Sequence, residues 1–199
     1  MPTFQIDTLR QYGYELFEAV GCSVEDTQAV VDHLIESDLF GHHSHGALRF
    51  YEYAQAIREG RFQPRAVPEV VIDNPCAAVV DANGALGQAG ATFAMNLAIE
   101  KARKASVGIV TVHRCNHIGR VGAFPPLAAA ADMVGLLTNN GHGGDHALAP
   151  TGAIGRILPA ACMAAAFPTD RDYNVAIDLT NAVAAGGKLR VWAALGEAL

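Results

Sequence analysis

From Asp7 to Gly60 the apolar positions return every three or four residues, which predicts three helices. Ser23, followed three residues later by Asp26, is a start signal ahead of Ala29, Val30, Val31 and Leu34. The third helix is expected from about Ser44 to Glu59, stopped by Gly60. Leu48, Tyr51, Ala54 and Ile57 would form its buried stripe, with Arg49 on the other face. Residues 61–75 hold Pro64, Pro68 and Pro75 and read as a linker. Beyond them the pattern changes to strand, helix, strand: an apolar run at Ala77 to Val80, helical spacing from Gly87 to Ser106, and a β-branched run from Val107 to Val112. A helix from about Val121 to Asp132 follows. Strands are expected near Val134 to Leu137, Cys162 to Phe167 and Val175 to Leu179, and a last helix from Asn181 onward. The fold class is α/β: a helical amino-terminal region, residues 1–73, and a mixed sheet flanked by helices, residues 74–199.

Composition narrows the functional classes. The 199 residues are 51% hydrophobic, enough for a substantial core, and the net charge of −6 without a Lys/Arg cluster argues against a nucleic-acid partner. Cys22, Cys76, Cys115 and Cys162 are widely spaced, which fits reduced thiols in a cytoplasmic protein. The amino terminus has no basic segment followed by an apolar core, so no signal peptide is expected. The run from Ile157 to Pro168 is about half the roughly 20 residues that span a bilayer, and Pro159 interrupts it, so no membrane partner is expected.

Candidate chemistry collects at a few places. Ser44-His45-Gly46-Ala47-Leu48-Arg49 sets a hydroxyl, an imidazole and a guanidinium at a helix start, a set able to bind a carboxylate and move a proton. On a helix begun at Ser44, His45 and Arg49 share a face, and Ser44 serves as cap or holds the imidazole. Asn116-His117-Ile118-Gly119 follows a strand, where α/β sheets bind ligands. Asp178 ends an apolar run, with two readings: a carboxylate that orients an imidazole, or a helix cap. His113 with His117, or His142 and His146 with Asp145, have ligand types suited to zinc, and a metal-dependent hydrolase or lyase is one alternative. The HxxxH spacing aligns two imidazoles only on a helix, and neither pair falls on an expected one. Gly84 and Gly87 lie in a turn between strand and helix that lacks the full GxGxxG fingerprint, so they read as turn and packing residues.

Three stretches carry a resemblance: SHGALRFYEY, VVDANGALGQAGATFAMNLAIEKARKASVGIVTVHRCNHIGRVGAF and AIDLTNAVAAGGKLRVWAALGE. Together they resemble the malate/L-lactate dehydrogenase family that is unrelated to the Rossmann-fold enzymes and includes sulfolactate and ureidoglycolate dehydrogenases and piperideine-2-carboxylate reductase. The resemblance runs from about Asp32 to Glu197. It implies hydride transfer between NAD or NADP and C2 of a 2-oxo acid, a 2-hydroxy acid or a cyclic imino acid. In that family's terms Arg49 holds the substrate carboxylate, Ser44 and His45 relay a proton, and His117 contacts substrate and accepts a proton. Asp178 matches the proton donor of the reductases, a role that burial would support. A small carboxylate substrate and a homodimer are further implications.

The sequence also departs from the family pattern. Ile157-Leu158-Pro159-Ala160-Ala161 stands where members carry LGTNP, and Asn181-Ala182 where they carry Thr-Ser. Members also continue well past the segment matching Gly187-Lys188-Leu189-Arg190. These departures keep a second expectation open, an inactive dehydrogenase-like binding or interaction protein. Neither the particular acid nor the choice of NAD over NADP is legible in the residues.

Overall fold

The computed structural model describes residues 3–141 and 148–182, together with Lys188, Trp192, Ala193 and Gly196. Contacts divide the chain into two compact units, Met1–Arg120 and Val121–Leu199. The change of pattern at 73/74 therefore falls inside the first unit, where a helical layer gives way to a small sheet.

The first unit opens with α1 (Ile6–Ala19) and α2 (Val24–Leu39). The start of α2 is the one the sequence signals: the Asp26 N–H donates to Ser23 Oγ at 3.0 Å, and the Ser23 hydroxyl donates back to Asp26 Oδ2 at 2.9 Å. Val30, Val31, Leu34 and Ile35 face inward and meet Phe17 from α1 and Phe50, Tyr53 and Ile57 from α3 (Arg49–Arg58). Phe17 and Phe50 touch edge to face with ring centres 5.9 Å apart.

The third helix corrects the expected stripe. It starts at Arg49, because residues His43–His45 form a 3-10 turn instead of its first turn. Phe50, Tyr53, Ala54 and Ile57 are buried, while Leu48 and Tyr51 are 56% and 72% exposed. Both stripes have helical spacing. Packing selects the one that seats Phe50 against Phe17 and Tyr53 against Phe62, and Arg49, four residues before Tyr53, is thereby carried inside.

Part of the expected linker is a strand. β1 (Glu69–Asp73) pairs antiparallel with β2 (Ala77–Asp81), with an irregularity between Val70 and Ile72. Pro68 and Pro75 bracket this edge strand, which is why its segment reads as a breaker region. β2 runs parallel to β3 (Ile109–His113), joined through α4 (Gly87–Ala105), so this sheet is mixed.

The second unit begins with a 3-10 turn, Val121–Ala123, and a short α5 (Pro125–Ala129) in place of the longer helix expected over Val121 to Asp132. Pro125 and Pro126 supply no N–H for helical bonds to the preceding residues, so the helix cannot include them except at its start. β4 (Gly135–Asn139), β5 (Cys162–Phe167) and β6 (Val175–Thr180) then form a separate antiparallel sheet. One expected sheet is thus two of three strands each. Ala128 and Ala129 of α5 and Ala164 and Ala166 of β5 are buried, small residues that let helix and sheet approach closely. The helix expected beyond Asn181 lies largely outside the described residues. The four cysteines are free thiols. Among the described residues no helix is long and apolar enough to cross a membrane.

Removing the Ser23 cap tests the reading of α2. Ser23→Ala is expected to lower unfolding free energy by about 1 kcal/mol in urea denaturation. An unchanged midpoint would show that the cap contributes nothing.

Candidate functional site

The SHGALR segment is held by Asp38, near the end of α2. Asp38 Oδ2 accepts the Ala47 N–H at 2.7 Å, and its Oδ1 lies 3.0 Å from His43 Nδ1. The carboxylate passes so close beneath Gly46 that a Cβ there would sit 2.1 Å from Oδ1, so a larger residue would have to displace Asp38 from its contacts with Ala47 and His43. The turn buries Ser44 and leaves its Oγ 3.0 Å from His45 Nδ1. Arg49 is also buried. Its Nε donates to the Ser44 carbonyl at 2.8 Å, and its guanidinium pairs with Glu52. His45 and Arg49 are therefore not neighbours on one helical face. They are joined through Ser44, whose hydroxyl meets one and whose carbonyl meets the other.

The second half of the site is the loop after β3. The Asn116 side-chain amide donates to the carbonyls of Gly84 and Ala85 at 2.6 and 2.8 Å. Gly87 lies against this loop, and a Cβ on it would stand 2.2 Å from the His117 carbonyl oxygen. The glycine turn thus has the packing role its incomplete fingerprint suggests.

Docked in this way, the His117 ring stacks on that of His45, with centres 5.7 Å apart and planes 18° apart. Tyr53 Oη lies 2.5 Å from His117 Nδ1. Burial pushes the Tyr53 phenol up to about 12, against the smaller opposing pulls of the Gln88 amide and the Arg49 guanidinium, so it stays protonated at neutral pH. Gln88 is 1% exposed, and neither of its amide atoms reaches hydrogen-bond geometry with a described group.

Beside this cluster His33 Nε2 accepts the Arg120 N–H at 3.0 Å, a bond that requires a neutral imidazole. Burial pulls His33 down to about 4, with the charges of Arg120 and His45 acting in the same direction. Arg120 also pairs with Glu36 at 2.5 Å and lies 4.6 Å above the Phe40 ring centre, tying the loop end to α2.

Ser44, His45, Arg49 and His117 therefore gather in the first unit. Asp178 belongs to the second, where it is exposed in the middle of β6 and opposite Ala164 in register. Its Oδ2 accepts the Gly122 N–H at 2.9 Å, so it anchors the 3-10 turn and does not cap a following helix. The expected burial of this carboxylate is absent from the described structure. Ala161 and Asn181 meet each other. Asn181 Oδ1 accepts the Ala161 N–H at 2.9 Å, and the Asn181 N–H donates to the Ala161 carbonyl at 3.0 Å.

Among the described residues no three His, Cys, Asp or Glu side chains form a metal-holding group. His113 ends β3, paired in register with Asp81, whereas His117 faces Tyr53 and His45. His142, Asp145 and His146 lie outside the described residues. Sequence reasoning missed Tyr53, His33 and Gln88. Tyr53 carries one available signal, its position four residues after Arg49. His33 and Gln88 look like ordinary polar members of helices.

Comparison with known proteins shows the family. A malate/L-lactate dehydrogenase family profile matches residues 4–199, and the chain belongs to that family. A malate dehydrogenase of Pyrococcus abyssi is 35% identical over 96% of this chain and 52% of its own length. An L-sulfolactate dehydrogenase of Methanocaldococcus jannaschii is 34% identical over 88% of this chain and 50% of its own. The solved structure of malate dehydrogenase from Pyrococcus horikoshii superposes with a TM-score of 0.89 at 32% identity, covering 95% of this chain and 53% of that one. The chain spans about half the length of the curated relatives it matches.

The buried neutral His33 predicts a pH dependence of stability. Its pKa is lower in the folded protein than the ordinary 6.5, so on acidification the unfolded chain takes up a proton that the folded protein refuses until about pH 4. The contribution is complete above 6.5 and is lost progressively between 6.5 and 4, with a limit of about 3 kcal/mol. Urea denaturation at about pH 7.5 and about pH 4.5 should show a smaller loss for His33→Gln than for the wild type. Equal losses would overturn the assignment.

Gly87→Ala tests the loop contact. Its Cβ meets backbone that cannot yield locally, so a stability loss of about 2 kcal/mol or more is expected. The His117 ring resonances should also move in an NMR spectrum. Unchanged stability and shifts would refute the close approach.

Proposed function

We propose that this chain carries the substrate-side groups of a nicotinamide-dependent oxidoreductase. The reaction moves hydride between NAD or NADP and C2 of a malate- or lactate-like 2-hydroxy or 2-oxo acid, or of a cyclic imino acid. The observation that carries the reading is the joint placement of His45, His117, Tyr53 and Arg49, which puts proton-transfer groups in the same unit as a cation suited to a carboxylate. His117 accepts the proton of the C2 hydroxyl in oxidation and returns it in reduction. In the ketimine-reductase reading Ser44 and His45, whose Oγ and Nδ1 lie 3.0 Å apart, relay a proton. Arg49 holds the substrate carboxylate, and Glu52, whose carboxylate pairs with the guanidinium here, has the chemistry of the group that would take its place.

The nicotinamide supplies or accepts the hydride. The residues of the SHGALR and NHIG segments fit the substrate end of that chemistry. Gly84 to Gly87 do not fit as a phosphate cradle, because the Asn116–His117 backbone fills the space beside Gly87. In the imino acid reading Asp178 is the proton donor. Its Oδ2 accepts the Gly122 N–H, so the transferable proton belongs on Oδ1. The same reading includes a cytoplasmic homodimer acting on a small carboxylate, with neither nucleic acid nor membrane as partner.

The test is NADH and NADPH binding by the purified chain, then oxidation of each with a panel of 2-oxo acids and cyclic imino acids. Arg49→Ala should raise KM and lower kcat, whereas His117→Ala should lower kcat by about 100-fold or more with little change in cofactor affinity. Equal activity in both variants would refute these roles. A folded chain that binds neither cofactor would favour a dehydrogenase-like binding module, the reading to which the altered segment at residues 157–161 points.

A further inference from the structure

We infer that Tyr53, backed by Gln88, is a positioning residue that sets the tautomer of His117, holding hydrogen on Nδ1 and the lone pair on Nε2. The inference deepens the proposed proton-acceptor role of His117 and rests on it for its direction.

A phenol 2.5 Å from Nδ1 can meet it in two ways. If Tyr53 donates, Nδ1 must carry the lone pair and the neutral ring has its hydrogen on Nε2, where it cannot accept a proton. If Nδ1–H donates, Tyr53 Oη is the acceptor, Nε2 is basic, and the phenolic hydrogen needs another acceptor. The His117 carbonyl is a poor one at 3.5 Å. Gln88 is the better candidate. Its amide is buried at the start of α4 against the loop that carries His117, with Nε2 3.0 Å from where a Cβ on Gly119 would sit, and both its polar atoms are without hydrogen-bond partners among the described residues.

An unpartnered buried amide is costly, and turning Oε1 toward the phenol satisfies its acceptor. The result is a chain in which His117 Nδ1–H donates to Tyr53 Oη and the Tyr53 hydroxyl donates to Gln88 Oε1. Burial keeps the phenol protonated, so it remains both donor and acceptor at neutral pH. A phenolate in its place would bind Nδ1–H without needing Gln88.

The experiment reads the tautomer directly, without substrate or cofactor, so it is independent of whether hydride transfer is observed. The full chain is labelled with 15N-histidine, and long-range 1H–15N spectra are recorded where the imidazoles are neutral. The His117 signals are assigned by their loss in His117→Gln. Wild-type His117 should show a protonated Nδ1 and an unprotonated Nε2. Tyr53→Phe keeps the ring packed against Phe62 and should shift His117 toward hydrogen on Nε2, the form that free imidazole prefers. Gln88→Leu should move it in the same direction with Tyr53 still present, a change that loss of packing alone would not produce. Hydrogen on Nε2 in the wild type, or a tautomer unchanged in both variants, would overturn the inference. Should either variant fail to fold, the wild-type tautomer still decides its direction.

Discussion

The loop that carries His117 can reach the helical layer only because residue 87 has no side chain. The His117 carbonyl lies where a Cβ would be, and Asn116 secures the approach with two hydrogen bonds to the preceding turn. Gly46 does the same for the other half of the site, letting the Asp38 carboxylate pass under the turn that presents Ser44 and His45. One close backbone approach, at Gly87, and one carboxylate contact, at Gly46, thus hold the segments that carry the two imidazoles. At Gly87 the neighbour is backbone, which cannot yield as the end of a side chain can, so the His117 loop is seated on packed backbone.

The cations around these histidines have local partners, although Arg120 Nε is buried without one among the described residues. Arg49 meets a carbonyl and Glu52, Arg120 meets Glu36 and the face of Phe40, and His33 remains neutral so that it can accept an N–H. Such matching limits the reorganisation needed when charge develops on a bound molecule. The arrangement also links the histidine cluster to the core. Tyr53 packs with Phe62 on one side and meets His117 with its hydroxyl on the other, so a core residue borders the site directly.

The second unit shows a different economy. Its sheet is covered by alanines from α5, and its distinctive segment at residues 157–161 is tied to Asn181 by a reciprocal pair of hydrogen bonds. Residues 161 and 181 are therefore one structural feature. Asn181 supplies a side-chain acceptor for the Ala161 amide, a bond that an aliphatic side chain could not make.

Elements with local signals are written directly in the sequence. The Ser23 cap, the parallel pair β2 and β3 with α4 between them, and β5 were all legible from spacing and residue type, as were the SHGALR and NHIG segments. It did not determine which of two helical stripes on α3 faces inward, because both satisfy the period and only contact with Phe17 and Phe62 separates them. It hid β1 between prolines, since an exposed edge strand needs no alternating apolar face. It also could not reveal that Tyr53 meets His117, 64 residues away. That contact depends on the fold bringing α3 and the loop after β3 together, and a periodic pattern records burial without recording the partner.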